Sequence, residues 1–194
     1  MIRFYYGLSG TFKGTTIKAE LEKRNDCKVV WSMIKSWKNL ETGIYSGMID
    51  RNDLNYALLH LCILEHTIKN MAENSQILVE RGVTDMAYYR TLMYDRFLDS
   101  DDTWIKNSVA QELSICKERP EKILLIQNDY DFIKNEVLKE PTRKEVFPGG
   151  LDDYLKNQEM YIEFTKKYND ITDTIVINNA KEYIEKLGLK YETY

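Results

Sequence analysis

The residues best equipped for chemistry lie near the start of the chain, in the stretch GLSGTFKGTT that begins at Gly7. Glycines that allow tight curvature, a lysine and a run of hydroxyls are the parts of a loop that cradles phosphate. Such a loop aims backbone N–H groups and a helix N-terminus at the anion, and its lysine adds a mobile charge. The usual spacing is G-x-x-x-x-G-K-[S/T]. Gly7, Lys13 and Thr15 sit close to that pattern, but Phe12 takes the second glycine's place and Gly14 that of the hydroxyl after the lysine. In this altered form Gly7 and Gly10 supply the curvature and Lys13 reaches the transferred group. Ser9, Thr11, Phe12, Gly14, Thr15 and Thr16 complete the phosphate-lining set. Gly14 cannot bind magnesium, so Thr15 or Thr16 must substitute, directly or through water, with Thr15 preferred. The plain alternative is a strand-to-helix turn with a solvated lysine.

The elements around this loop decide between those readings. Ile2–Tyr6 reads as a short buried strand, followed at once by the glycine loop and a helix from about Lys13 to Lys23. KVVWS (Lys28–Ser32), QILVE (Gln76–Glu80), KILLIQ (Lys122–Gln127) and Thr174–Ile177 supply four more strands. A long helix is expected over Asp50–Met71, where Leu54, Leu58, Leu61, Leu64, Ile68 and Met71 recur at helical spacing. Further helices are expected near Val83–Phe97, Asp102–Cys116, Asp129–Lys139, Leu151–Tyr168 and Ala180–Leu187. Glu140–Gly150, with two prolines and two glycines, reads as a loop. Short apolar strands alternating with helices imply an α/β fold, a five-stranded parallel sheet flanked by helices. Ligands on such sheets sit beyond the carboxyl ends of the strands. The glycine loop stands there, between a strand and a helix, which is the context a phosphate loop requires.

Composition bounds the rest. The chain has 194 residues, of which 43% are hydrophobic and 30% charged, the balance of one globular domain spanning 1–194. No apolar run reaches membrane-spanning length, and no secretory signal opens the chain, so a cytoplasmic protein off the membrane is expected. Three scattered cysteines (Cys27, Cys62, Cys116) suit reduced thiols and form no metal set. A net charge of −4 argues against a nucleic-acid polymer as partner, because phosphate neutralisation needs a basic stripe. No Ser-His-Asp triad or zinc site is visible, and His60 and His66 read as ordinary surface or groove residues.

GLSGTFKGTT, QILVERGVTDMAYY and the late loop-plus-helix together resemble the deoxynucleoside kinase and thymidylate kinase group of P-loop kinases. VVWSMIKSWKNL is similar to the segment after their second strand, where Trp37, Lys38 and Asn39 match and Ser32-Met33 replace a Glu-Pro pair. The resemblance implies the three-layer P-loop kinase fold, ATP and Mg2+ as cofactors, a small-molecule nucleotide substrate and a homodimer. It places Arg81 near the phosphates and Glu80 near the acceptor. The bland reading of that pair is an ion-pair clasp at a strand end. KEPTRKEVFPGG takes the lid's place near 139–150, with Arg143 the preferred cation and Lys139 and Lys144 behind it. Asn55 and His60 fall where the group reads the base. Trp37, Tyr45, Tyr56 and Tyr88 are either base-binding aromatics or core. The acceptor set is therefore Ser32, Trp37, Asn55, Tyr56, Glu80 and Arg81.

The missing carboxylate bears on the reaction. A sugar hydroxyl needs a general base, whereas a monophosphate acceptor is already ionised. Ser32 is no useful base, which tilts the expectation toward a deoxynucleoside monophosphate, thymidylate first. A nucleoside kinase drawing its base from Glu41 or Asp50 stays open. So does a kinase-like protein that binds nucleotide and transfers nothing. An interaction protein without a nucleotide site would leave the glycine loop unexplained.

Overall fold

The structure, a computed structural model, describes residues 1–24, 26–31, 53–72, 75–91, 102–169 and 174–188. Five strands form one sheet in the order β2-β3-β1-β4-β5. They are β1 (Ile2–Tyr6), β2 (Cys27–Val30), β3 (Gln76–Glu80), β4 (Glu121–Leu125) and β5 (Thr174–Ile177). The three middle strands explain their own composition: β3 is buried throughout, and β1 and β4 at all but one position each. Covered on both faces, such strands read as unbroken apolar runs. The edge strands β2 and β5 are mostly half-buried or exposed. β2 pairs parallel with β3 from Cys27↔Gln76 to Val30↔Val79, and β4 with β5 from Lys122↔Thr174 to Leu125↔Ile177.

The chain divides into two compact units. One comprises Met1–Phe4 and Asp26–Glu121. It carries β2, α2 (Asp53–Lys69), β3, α3 (Val83–Thr91) and α4 (Thr103–Ile115), and its three helices pack on one another. The inward face of α2 is Ala57, His60, Leu61 and Leu64, the i, i+3, i+4, i+7 pattern of a helix stripe. Leu58, expected on that stripe, is instead 44% exposed, and His60, expected at the surface, is fully buried. Leu61 and Leu64 keep their expected place, while Ala57 and His60 stand where Leu58 was expected, and His60 has a polar partner inside.

The other unit comprises Tyr5–Asn25 and Lys122–Tyr194. It carries α1 (Lys13–Lys23), β4, α5 (Tyr130–Phe132), α6 (Pro141–Val146), α7 (Gly150–Tyr168), β5 and α8 (Ala180–Lys186). Two expectations are corrected here. The helix expected over Asp129–Lys139 is α only for Tyr130–Phe132 and then widens into a π-helical turn, Ile133–Val137, closed by Leu138 N–H on Ile133 O at 2.9 Å. The Glu140–Gly150 loop contains α6, because Pro141 stands in the first helical turn, where its missing N–H costs nothing. Strand ends also move. β2 runs Cys27–Val30 rather than Lys28–Ser32, and β4 stops at Leu125, although Ile126 N–H still bonds Ile177 O at 2.9 Å.

Candidate functional site

The candidate phosphate-loop residues follow β1 directly and lead into α1. Gly7 and Gly10 both have positive φ, at 150° and 89°. A Cβ on Gly7 would lie 2.4 Å from Thr11 Oγ1 and 2.6 Å from Leu125 O, and one on Gly10 would lie 2.5 Å from Val137 Cγ1. Both positions therefore require glycine. Phe12, at the place of the usual second glycine, keeps the left-handed backbone that glycine would adopt, with φ 61°.

Lys13 is only 4% exposed, so the solvated lysine of the plain-turn alternative is not what the structure shows. Its ammonium donates to Gly7 O at 2.5 Å, Leu8 O at 2.8 Å and Thr11 Oγ1 at 3.3 Å, closing a ring inside the loop. Thr11 Oγ1 in turn donates to Leu8 O at 2.9 Å. Helix α7 anchors the same turn from the other side. Tyr161 Oη accepts from Gly7 N–H at 2.8 Å, and Tyr154 Oη donates to Ser9 O at 2.9 Å. Between them Gln158 clamps Gln127, taking its N–H at 2.9 Å and donating to its carbonyl at 3.0 Å. Tyr154 and Tyr161 fall on the helical spacing the sequence shows, and Gln158 lies between them without being singled out. That they are there to hold backbone was not legible.

Thr15 is half-buried and Thr16 fully buried, with Thr16 Oγ1 lacking any hydrogen-bond partner. Gly14 offers no side-chain oxygen. Among the described residues no group of three or more His, Cys, Asp or Glu comes together. This donor set fits magnesium that arrives with a nucleotide and is held chiefly by its phosphates, the habit of this cation.

The lid candidate Arg143 lies in α6. Its Nε pairs with Glu140 Oε2 at 2.9 Å, and its Nη1 reaches Val137 O at 3.4 Å. Lys139 pairs with Glu136 at 3.4 Å on the surface. Behind the loop Asp129 caps α5 by accepting from Phe132 N–H at 2.8 Å and pairs with Lys181 at 2.6 Å. The Lys181 hydrogen bond, then the Phe132 N–H, hold the Asp129 carboxyl below its ordinary value, and the same hydrogen bond raises Lys181.

In the other unit Glu80 is buried at the end of β3, and Arg81 follows in a left-handed conformation, φ 70°. Arg81 Nη1 lies 3.3 Å from Asp85 Oδ1, four residues on. The start of α3 beyond it is held by Glu112, whose Oε1 accepts from Val83 N–H at 2.9 Å and meets His60 Nε2 at 2.8 Å. Sequence reading missed Glu112 altogether. Tyr88 is fully buried in the core. Asn55 and Tyr56 lie on α2, with side chains outside the described residues, as are Ser32, Trp37, Glu41, Tyr45 and Asp50.

No protein-family model matches the chain, and no curated protein does. Solved structures do. A thymidylate kinase from Ehrlichia chaffeensis aligns over 97% of this chain and 98% of its own at 13% identity, with TM-score 0.54. The YorR protein of Bacillus subtilis, in complex with phosphorylated GDP, aligns over 97% and 96% at 15% identity, with TM-score 0.55. A deoxyadenosine kinase from M. mycoides with bound dATP aligns over 97% and 100% at 17% identity, with TM-score 0.54. Among the described residues no helix is long and apolar enough to cross a membrane. With its parallel sheet in the order 2-3-1-4-5, the chain has the P-loop kinase fold of the thymidylate and deoxyadenosine kinases.

Proposed function

We propose that the chain is an ATP-dependent phosphotransferase whose acceptor is a deoxynucleoside monophosphate, with thymidylate first among the candidates. The observation that carries this is the loop after β1, where a buried lysine closes a ring of glycine-loop carbonyls at the N-terminus of α1. ATP phosphates would exchange for those carbonyls as partners of Lys13, with the first-turn N–H groups of α1 facing them. Magnesium, when bound, neutralises charge on the transferred phosphoryl group; Thr15 is the residue of the loop that would hold it. Arg81 is assigned the acceptor's phosphate, because its planar fork matches phosphate oxygens, and Glu80 is assigned the acceptor's sugar. The left-handed backbone of Arg81 supports its assignment, since strained residues cluster at binding sites. Arg143 would leave Glu140 for the donor phosphates as the 139–150 lid closes. The resemblance adds a homodimer, and composition adds a single cytoplasmic domain.

Two alternatives have specific support. Likeness to a deoxyadenosine kinase favours a nucleoside acceptor. The loss of a hydroxyl at Gly14 favours a kinase-like protein that binds nucleotide without transfer. One screen separates all three: deoxynucleosides and their monophosphates offered with Mg-ATP, following ADP release. Monophosphates should react and nucleosides should not, and Lys13→Met should lower turnover by a factor on the order of 10²–10³, the scale seen when a charge-stabilising donor is removed. Robust nucleoside turnover would replace the acceptor assignment. ATP binding with no acceptor reacting would favour the binding protein.

A further inference from the structure

Phe12 poses a physical problem. A bulky residue in the left-handed region brings its Cβ against the following carbonyl, which is why glycine is the usual occupant. Something must hold it there. The ring of Phe12 is buried and lies 5.1 Å from that of Phe132, tilted by 36°. Phe132 is itself fastened: its N–H bonds Asp129, and Lys181 Nζ sits 5.5 Å from its ring.

The π-helical turn that follows supplies the second brace. In an α-helix residues five apart point about 140° away from each other. The wider turn brings Phe132 and Val137 closer to one side, and Val137 is the side chain that crowds Gly10. The same short segment therefore touches the loop at Phe12 and at Gly10. Single-turn π insertions are frequent at functional sites, and this one has a visible task.

We propose that Phe132 is a positioning residue for nucleotide binding, acting through Phe12 to hold the phosphate loop in its anion-accepting turn. It rests on the phosphate-loop reading above and deepens it. Phe132 compensates for the absent glycine, so it matters only while residue 12 is phenylalanine.

That dependence is the test. Four full-length proteins are compared: wild type, Phe132→Leu, Phe12→Gly and the double variant, with Mg-ATP binding measured by calorimetry and folding by thermal melt. Phe132→Leu should weaken ATP binding about three- to tenfold, the range an aromatic pair sustains. Phe132→Tyr, which keeps the ring, should bind like wild type. With glycine at position 12, Phe132→Leu should change ATP binding less than about twofold, because glycine needs no clasp. Where Phe132→Leu does not fold, Phe132→Met refills the volume and takes its place in the cycle. Equal losses in both backgrounds, or no loss in either, overturn the proposal while leaving the kinase reading in place. A folded wild type that does not bind ATP overturns the kinase reading, and the positioning role falls with it.

Discussion

Glu112 offers the sharpest test of what holds the unit of Met1–Phe4 and Asp26–Glu121 together. Its carboxylate is 1% exposed, and one oxygen accepts from Val83 N–H at 2.9 Å and lies 2.8 Å from His60 Nε2. Glu112→Ala leaves a buried amide and a buried ring nitrogen without an acceptor, and it opens a cavity. Hydrogen bonds to charged groups contribute about 1.5–3 kcal/mol each, giving about 3–6 kcal/mol gross. The desolvation cost of the carboxylate disappears in the variant and offsets part of this. A net loss of about 3–5 kcal/mol is expected, as for other broken buried pairs. At roughly 2–4 °C per kcal/mol for a chain of this size, the melting temperature should fall by about 6–20 °C. Glu112→Gln keeps the accepting oxygen and should lose about 1–2 kcal/mol, the charge-assisted part. Urea unfolding followed by far-ultraviolet circular dichroism measures both. The two losses should barely change with salt, because buried pairs are poorly screened. A Glu112→Ala protein within about 1 kcal/mol of wild type would refute the reasoning, since an orphaned buried donor alone costs that much. Val83 opens α3 two residues after Arg81, so the Gln variant should also raise the acceptor KM more than it lowers kcat.

Gly10→Ala should destabilise the chain by about 1–3 kcal/mol through its left-handed φ, with weaker ATP binding besides; Val137→Ala should restore only the part due to the Cβ clash, read by melting and calorimetry on the double variant. Asp129→Asn keeps the α5 cap and removes the Lys181 pair, so at neutral pH it should cost at most about 1 kcal/mol for so exposed an ion pair. Because the folded state lowers the Asp129 pKa, that stability is present above the ordinary carboxylate range and is lost as pH falls through it. The raised Lys181 makes the same pair fade as pH climbs through the lysine range. Wild type and variant should therefore converge at both ends of a pH series of unfolding curves, and a constant gap would rule out the pair as its source.

What was legible in the sequence follows from the range of the forces involved. The glycine loop, β1 and β3 were readable because backbone permissiveness and complete burial leave local marks: Gly7, Gly10 and Lys13 in order, QILVE without a polar break. Edges were less so. The bounds of β2 depend on which residues of β3 stand opposite, Gln76 to Val79, and a run such as KVVWS does not encode where its partner ends. Pro141 misled because proline ends a helix from within but suits its first turn, and only position distinguishes the two.

The residues that build the site's supports were hidden for a different reason. Tyr154 and Tyr161 lie seven apart on α7, so periodicity correctly buries both, yet periodicity weighs the ring and ignores the hydroxyl. A buried tyrosine hydroxyl needs a partner, and the nearest unpaired backbone belongs to an irregular loop that makes no ladder of its own. The glycine loop is such a segment, which is why Gly7 N–H and Ser9 O end on these two tyrosines. The same logic covers His60 and Phe132. Each looks like an ordinary member of a helix until the distant group it satisfies, Glu112 or the strained Phe12, is brought beside it by the fold. The ring that Lys13 and Thr11 close inside the loop leaves Gly7 N–H and Ser9 O to other partners, so those supports come from far along the chain, where local pattern carries no record of them.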